Sequence, residues 1–126
     1  MQLVTDVYEI TQTFPEQERF GLISQMRRAA VSIPSNVAEG AARKTSKEFI
    51  QYLYISQSSL SELDTQVEIA KGLGWLKEED GRGIENAMNR LDKMLSGLIR
   101  HQKTSHALRL TPYEKKNVQP TDKGVQ

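Results

Sequence analysis

The stretch FIQYLYISQSSLSELDTQVEIA, residues 49–70, places apolar or small residues at Phe49, Leu53, Ser56, Leu60, Leu63, Val67 and Ala70. The steps alternate between four and three without a miss. That is the seam of a left-handed helical bundle, in which one stripe of each helix faces its neighbours. Just ahead, Thr45 and Glu48 have the spacing of a capping box, so this helix is expected to open at TSKE. Ile50, Tyr52, Tyr54 and Ile55 lie off the seam. A helix that is apolar on more than one side is either surrounded by several helices or turned toward a second subunit. Ser56, Ser58 and Ser59 are small enough to let a neighbouring helix come close.

The same period extends upstream. Leu3, Val7, Ile10 and Phe14 predict a short first helix over roughly residues 2–13, ended by Phe14-Pro15 because the residue before proline resists helical dihedrals. Pro15 suits the first position of a second helix, with Glu16 and Glu18 complementing its dipole. Ile23, Met26, Ala30, Ile33, Val37 and Ala41 then share one face across Pro34. Two readings stand. Either the helix continues, kinked where Pro34 removes a hydrogen bond to the Ala30 carbonyl, or it breaks at residues 33–35.

Downstream, Gly72 or Gly74 is positioned to end the third helix, and Trp75 and Leu76 to plug the end of the core. Glu78, Glu79 and Asp80 resemble an acidic first turn, but Gly81 and Gly83 predict a late or frayed start to helix four. From Ile84 the pattern is firm through Met88, Leu91, Leu95 and Leu98, with Gly97 read as a close-packing position. The periodicity fades past Lys103. Residues 1–103 therefore read as one all-α domain of four helices. Residues 104–126 read as a polar tail, disordered unless a partner orders it through Leu108, Leu110 and Tyr113.

A chain of 126 residues is one domain, long enough to bury a core without staples. It has no cysteine, which excludes disulfides and thiolate metal sites and fits a reducing cytoplasm. No signal peptide opens it, and no apolar run approaches the ~18 residues that span a bilayer. A cytoplasmic protein without a membrane partner is expected. The net charge is only +1, yet residues 1–70 hold six basic and nine acidic side chains while residues 71–126 hold eleven and seven. The basic end offers only a weak electrostatic pull on RNA or DNA. Arg27, Lys44, Lys47, Arg100, Lys103 and Arg109 are the candidate contacts. The favoured reading of that end is a solvated, slightly basic tail.

Chemistry-bearing patterns are sparse. Arg28, Ser32, Ser35, Asn36, Glu39 and Arg43 fall within roughly one 100° sector of helix two, opposite its apolar stripe. Glu39 and Arg43 are four apart in the favourable order. This ridge has no nucleophile and no base beyond Glu39, so Arg28, Asn36, Glu39 and Arg43 read as pairing or interface residues and not as catalysts. No Glu-x-x-His pair, phosphate loop or cysteine nucleophile occurs, so no metal or cofactor is expected and the chain reads as a non-enzyme. Arg100 and His106, with five residues between them, resemble the Arg-x(4–6)-His signature of HEPN ribonucleases, a remote alternative. The plainer reading is two solvated side chains, with Arg100 and His101 near a helix C-terminus whose dipole favours them.

Over QMRRAAVSIPSNVAEGAARKTSKEFIQYLYISQSSLSEL, residues 25–63, the chain resembles the bacterial four-helix-bundle family named for 23S rRNA intervening sequences, also called S23. The resemblance rests on Gln25, Arg27, Arg28, Ala29, Ser32, Ile33, Asn36, Ala38, Glu39 and Gly40. It continues through Lys47, Glu48, Phe49, Ser59, Leu60, Glu62 and Leu63. It covers roughly residues 3–102. It implies an antiparallel up-down four-helix bundle that assembles as a homopentamer. Members carry a longer segment ahead of the position of Leu3, so a short first helix is expected here. Ser56 and Ser58 stand where the family has alanine and glycine. The resemblance extends to accessory variability proteins of diversity-generating retroelements, basic pentamers that bind a reverse transcriptase and nucleic acid. The function it implies is an oligomeric adaptor or scaffold for a protein or nucleoprotein partner, with nucleic-acid binding through the basic terminal helix and tail as the alternative.

Overall fold

A computed structural model describes residues 1–109; residues 110–126, with Leu110, Tyr113 and most of the expected tail, lie outside the described residues. The elements are α1 (Gln2–Thr11), a 3-10 turn (Glu16–Glu18), α2 (Leu22–Ala41), α3 (Ser46–Gly72) and α4 (Glu78–Arg109). Helix α2 packs on α3, α3 on α4, and the short α1 bridges α2 and α4. The chain runs up and down, an all-α antiparallel four-helix bundle. The register of α2 on α3 is fixed by Ser32–Ser59 and Ile33–Ser56 contacts. That of α3 on α4 is fixed by Lys71–Glu85 and Gln57–Ser96.

The seam predicted on α3 is the centre of the core. Leu53, Ser56, Leu60, Leu63, Val67 and Ala70 are buried, and Phe49 is half-buried at its start. Met26, Ala29, Ala30 and Ile33 of α2, and Ile84, Met88, Leu95 and Ile99 of α4, close over it. The capping box forms with a twist. Thr45 Oγ1 accepts a hydrogen bond from the Glu48 N–H at 3.1 Å, while the Thr45 hydroxyl donates to the Glu48 carboxylate at 3.0 Å. At the other end Gly74 adopts φ +78°. Its N–H donates to the Lys71 carbonyl and that of Trp75 to the Ala70 carbonyl, both at 3.0 Å, which closes a Schellman motif. Trp75 then stacks obliquely on Phe14, ring centroids 5.9 Å apart, and Leu76 is buried beside them.

Three boundaries differ from the sequence expectation. Pro15 does not open α2; it precedes the 3-10 turn, and α2 starts seven residues later. The Glu18 carboxylate accepts the Leu22 N–H at 3.2 Å and serves as the helix cap. Helix α2 runs on through Pro34, as the first of the two sequence readings has it. Local hydroxyls and amides bond the carbonyls around the proline: Ser35 Oγ to Val31 O at 2.8 Å, Asn36 Nδ2 to Ser32 O at 2.8 Å, and Ser56 Oγ from α3 to Ile33 O at 2.9 Å. Helix α4 begins early, at Glu78, because its acidic first turn outweighs the two glycines, and Gly81 N–H donates to Lys77 O at 2.9 Å. Helix α4 also continues past Lys103 to Arg109.

Gly97 is the fourth difference. A Cβ there meets only the Arg100 guanidinium, at 3.8 Å, so no helix packs on it. With room for a methyl and helical backbone, Gly97→Ala is expected to raise the unfolding free energy by up to about 1 kcal/mol in a urea melt. The close-packing glycine is Gly40, buried at the α2–α3 contact.

Candidate interaction surface

The polar ridge of α2 is divided by the helices around it. Ser32 and Asn36 turn toward α3. Ser32 Oγ meets Ser59 Oγ at 2.8 Å, and Asn36 Nδ2 donates to Ser32 Oγ at 2.9 Å as well as to its carbonyl. This network lets two helices touch through hydroxyls without stranding a polar group. Glu39 and Arg43 form a second cluster at the end of α2. The Arg43 guanidinium donates to Glu39 and to the Tyr52 hydroxyl, both at 2.8 Å, and lies over the Tyr52 ring at 4.9 Å. Both charges are largely exposed, so the pair contributes no more than about 1 kcal/mol and fixes the α2–α3 corner. Arg28 stands apart, exposed, with no hydrogen bond or ion pair among the described residues.

The candidate nucleic-acid contacts do not form one patch. Arg27 closes the end of α1: its Nε donates to Thr11 Oγ1 at 2.9 Å, its Nη2 to the Tyr8 carbonyl at 3.3 Å, and its guanidinium lies 4.6 Å from the Tyr8 ring. That is a cation on the carbonyls of a helix C-terminus. Lys44 and Lys47 are exposed in the α2–α3 connection and the first turn of α3. Lys103 reaches back over the Tyr54 ring at 5.6 Å. Arg100 is exposed, and Arg109 ends the described part of α4. Lys44, Lys47, Lys103 and Arg109 share one end of the bundle; Arg27 is at the other.

Arg100 and His106 do not converge. On a continuous helix six residues separate side chains by about 120° and about 9 Å along the axis, so the pair cannot address one phosphate. Arg100 and His101 also sit two turns before the last described residue of α4, away from the terminal carbonyls. Among the described residues no group of His, Cys, Asp or Glu is arranged to hold a metal. No helix among them is long and apolar enough to cross a membrane. The hydrogen bond of Lys71 to Glu85, at 2.7 Å, raises the pKa of the Lys71 ammonium against the opposing effect of desolvation, and Glu68 adds to the rise.

Two apolar features stand on the surface, and of their residues the sequence pattern singled out only Ile55. Phe20, in the turn before α2, is 90% exposed. It borders a groove of about 570 Å³ with Tyr8, Arg19, Ile23, Arg28 and Val31. A lone aromatic between Arg19 and Gly21 carries no periodic signal, so only its position reveals it. The second is a stripe on the outside of α3, where Ile55 (47% exposed), Ile69 (46%) and Leu73 (54%) recur with Glu62 among them. Ile55, Glu62 and Ile69 are spaced by seven, within about 40° of one another on the helix. Gln66 flanks them, buried; its Nε2 donates to Glu62 at 3.3 Å and its Oε1 has no partner among the described residues.

The fold and these surfaces define a class: a four-helix bundle with its polar side chains spent on helix pairing and a long helix carrying exposed Ile55 and Ile69 on its outer side. The chain belongs to the family of 23S rRNA-intervening sequence proteins, whose model matches residues 1–97. Its fold is similar to the 1.70 Å crystal structure of a protein of unknown function from the S23 ribosomal protein family of Bacteroides thetaiotaomicron. The TM-score is 0.67 at 23% identity, over 76% of this chain and 87% of that one. No curated protein matches the sequence.

Proposed function

We propose that this protein is a non-enzymatic, oligomeric adaptor of the cytoplasm that works as a ring, five copies being the arrangement the family resemblance favours, and presents a protein or nucleoprotein partner with a rigid helical surface. The observation that carries this reading is the outer stripe of α3. The inner seam of α3 already fills the bundle, yet Ile55, Ile69 and Leu73, fourteen and four residues apart, stand exposed along another side of the same helix, with Glu62 between them. Exposed apolar residues aligned on one face of a surface helix support an interaction site there. The polar ridge of α2 supports a structural role, because Ser32, Asn36, Glu39 and Arg43 are engaged with one another and with α3.

Light scattering coupled to size exclusion at micromolar concentration tests it. The expected mass is five times that of the 14.3 kDa chain. A single species of one chain's mass removes the reading.

A further inference from the structure

We infer that the groove beside Phe20 is a docking site for a short acidic segment of a partner protein, one in which a carboxylate stands next to aromatic or aliphatic side chains. The role of such docking rests on the adaptor reading, which it deepens by naming where a partner sits and what chemistry it offers. The binding itself needs only one chain.

The groove lies where α1, the turn before α2 and the first half of α2 meet. Tyr8, Phe20 and Val31, all exposed, supply its apolar surface over the buried floor of Ile23. Single exposed apolar side chains are ordinary; here three border one depression. Phe20 is also presented by a turn that is tied down. The Glu18 carbonyl accepts the Gly21 N–H at 3.0 Å, and the Glu18 carboxylate accepts the Leu22 N–H at 3.2 Å. An aromatic ring held out by a fixed turn gives up little freedom when it is covered.

Charge selects the occupant. Arg19, Arg27 and Arg28 line the groove, and no carboxylate does. Arg19 is paired with Glu16 at 3.0 Å, and Arg27 is spent on Thr11 and the Tyr8 carbonyl. Arg28 has no partner among the described residues. Glu9, next to Tyr8 in the chain, stands about 100° from it around α1. Ser24, half-buried on the same wall, has no hydrogen bond among the described residues, and its hydroxyl can meet a peptide N–H or C=O. The groove therefore offers one free guanidinium and one free hydroxyl amid apolar surface. A guanidinium takes a carboxylate through two parallel hydrogen bonds. From Ser24 to Val31 the helix rises about 10 Å, the length of about three residues of extended chain. A nucleic-acid strand fits less well, because it is tracked by a row of cations and stacked bases, and Ile23 and Val31 offer no stacking.

The test selects displayed random 12-residue peptides on the full chain and titrates the enriched ones by fluorescence anisotropy against the parent, Phe20→Ser and Arg28→Glu. Both side chains are exposed, so both variants should keep the parent's circular-dichroism melt. The enriched peptides are expected to carry Asp or Glu within about three residues of Phe, Trp or Leu. Each variant should bind them about tenfold more weakly or worse. Replacing the peptide's carboxylate by lysine should weaken binding to the parent and restore binding to Arg28→Glu, which places the carboxylate on Arg28. No enrichment over bare support, or equal binding by both variants, overturns the proposal. So does a 12-base single-stranded RNA that binds the parent more tightly than the peptides and loses that binding in the variants. A fall in mass by light scattering in either variant makes the groove a contact between copies of this chain and overturns it too. A parent of one chain's mass that still binds the peptides removes the ring and leaves the docking site standing.

Discussion

Gly40→Val is expected to cost this protein about 3 kcal/mol of unfolding free energy, seen as a lower urea midpoint by circular dichroism. A Cβ built on Gly40 lies 2.7 Å from Tyr52 Cβ and 2.8 Å from Phe49 Cδ1, with the Phe49 carbonyl oxygen at 3.3 Å. The Phe49 ring can turn aside. Tyr52 Cβ is fixed to the α3 backbone and can move only if the helix moves. Separating α2 from α3 at this corner stretches the Ser32–Ser59 contact at 2.8 Å and the Ser56–Ile33 bond at 2.9 Å, which depend on the same spacing. Alanine at the same position gains about 1 kcal/mol of helix propensity against an overpacking cost of 1–3 kcal/mol, so a smaller loss remains. Gly97→Ala should move the midpoint the other way. A Gly40→Val protein as stable as its parent would mean that the two helices are not held at this distance.

The contrast between those two glycines shows what a sequence pattern can and cannot carry. The α3 seam was legible because Leu53, Leu60, Leu63 and Val67 are numerous, apolar and periodic, and periodicity is a property of one helix. Whether a glycine is crowded is a property of two. Gly97 sits inside a strong apolar repeat and faces only Arg100, while Gly40 sits among alanines at the end of α2, off any strong repeat, and faces Tyr52 and Phe49. The start of α2 was misplaced for a related reason. Pro15 suits a helix start, but Glu18 caps Leu22 instead, a choice made by the path of the turn and not by local propensity. On the candidate surfaces, Glu39 and Arg43 were legible as an i,i+4 pair; the Tyr52 hydroxyl that joins them comes from another helix and was not. Arg27 read as a free cation until α1 was seen to end beneath it.

Leu63→Ala and Ile69→Glu should separate folding from assembly, because they change the two sides of one helix. Leu63 is fully buried in the inner seam, so its truncation leaves a cavity and is expected to cost 2–5 kcal/mol, about as much at every protein concentration. Ile69 is half exposed on the outer stripe. A carboxylate there is solvated in an isolated chain and costs little, but in an interface it is a charge buried against apolar surface. Assembly couples the melting midpoint to concentration, since a partner that binds only the folded chain stabilises it by mass action. The parent midpoint should therefore rise over a tenfold increase in concentration. Leu63→Ala should melt lower and keep that rise. Ile69→Glu should melt close to the parent at the dilute end and lose the rise. If Ile69→Glu keeps the concentration dependence, the chain assembles through another face, and the groove beside Phe20 becomes the place to mutate next.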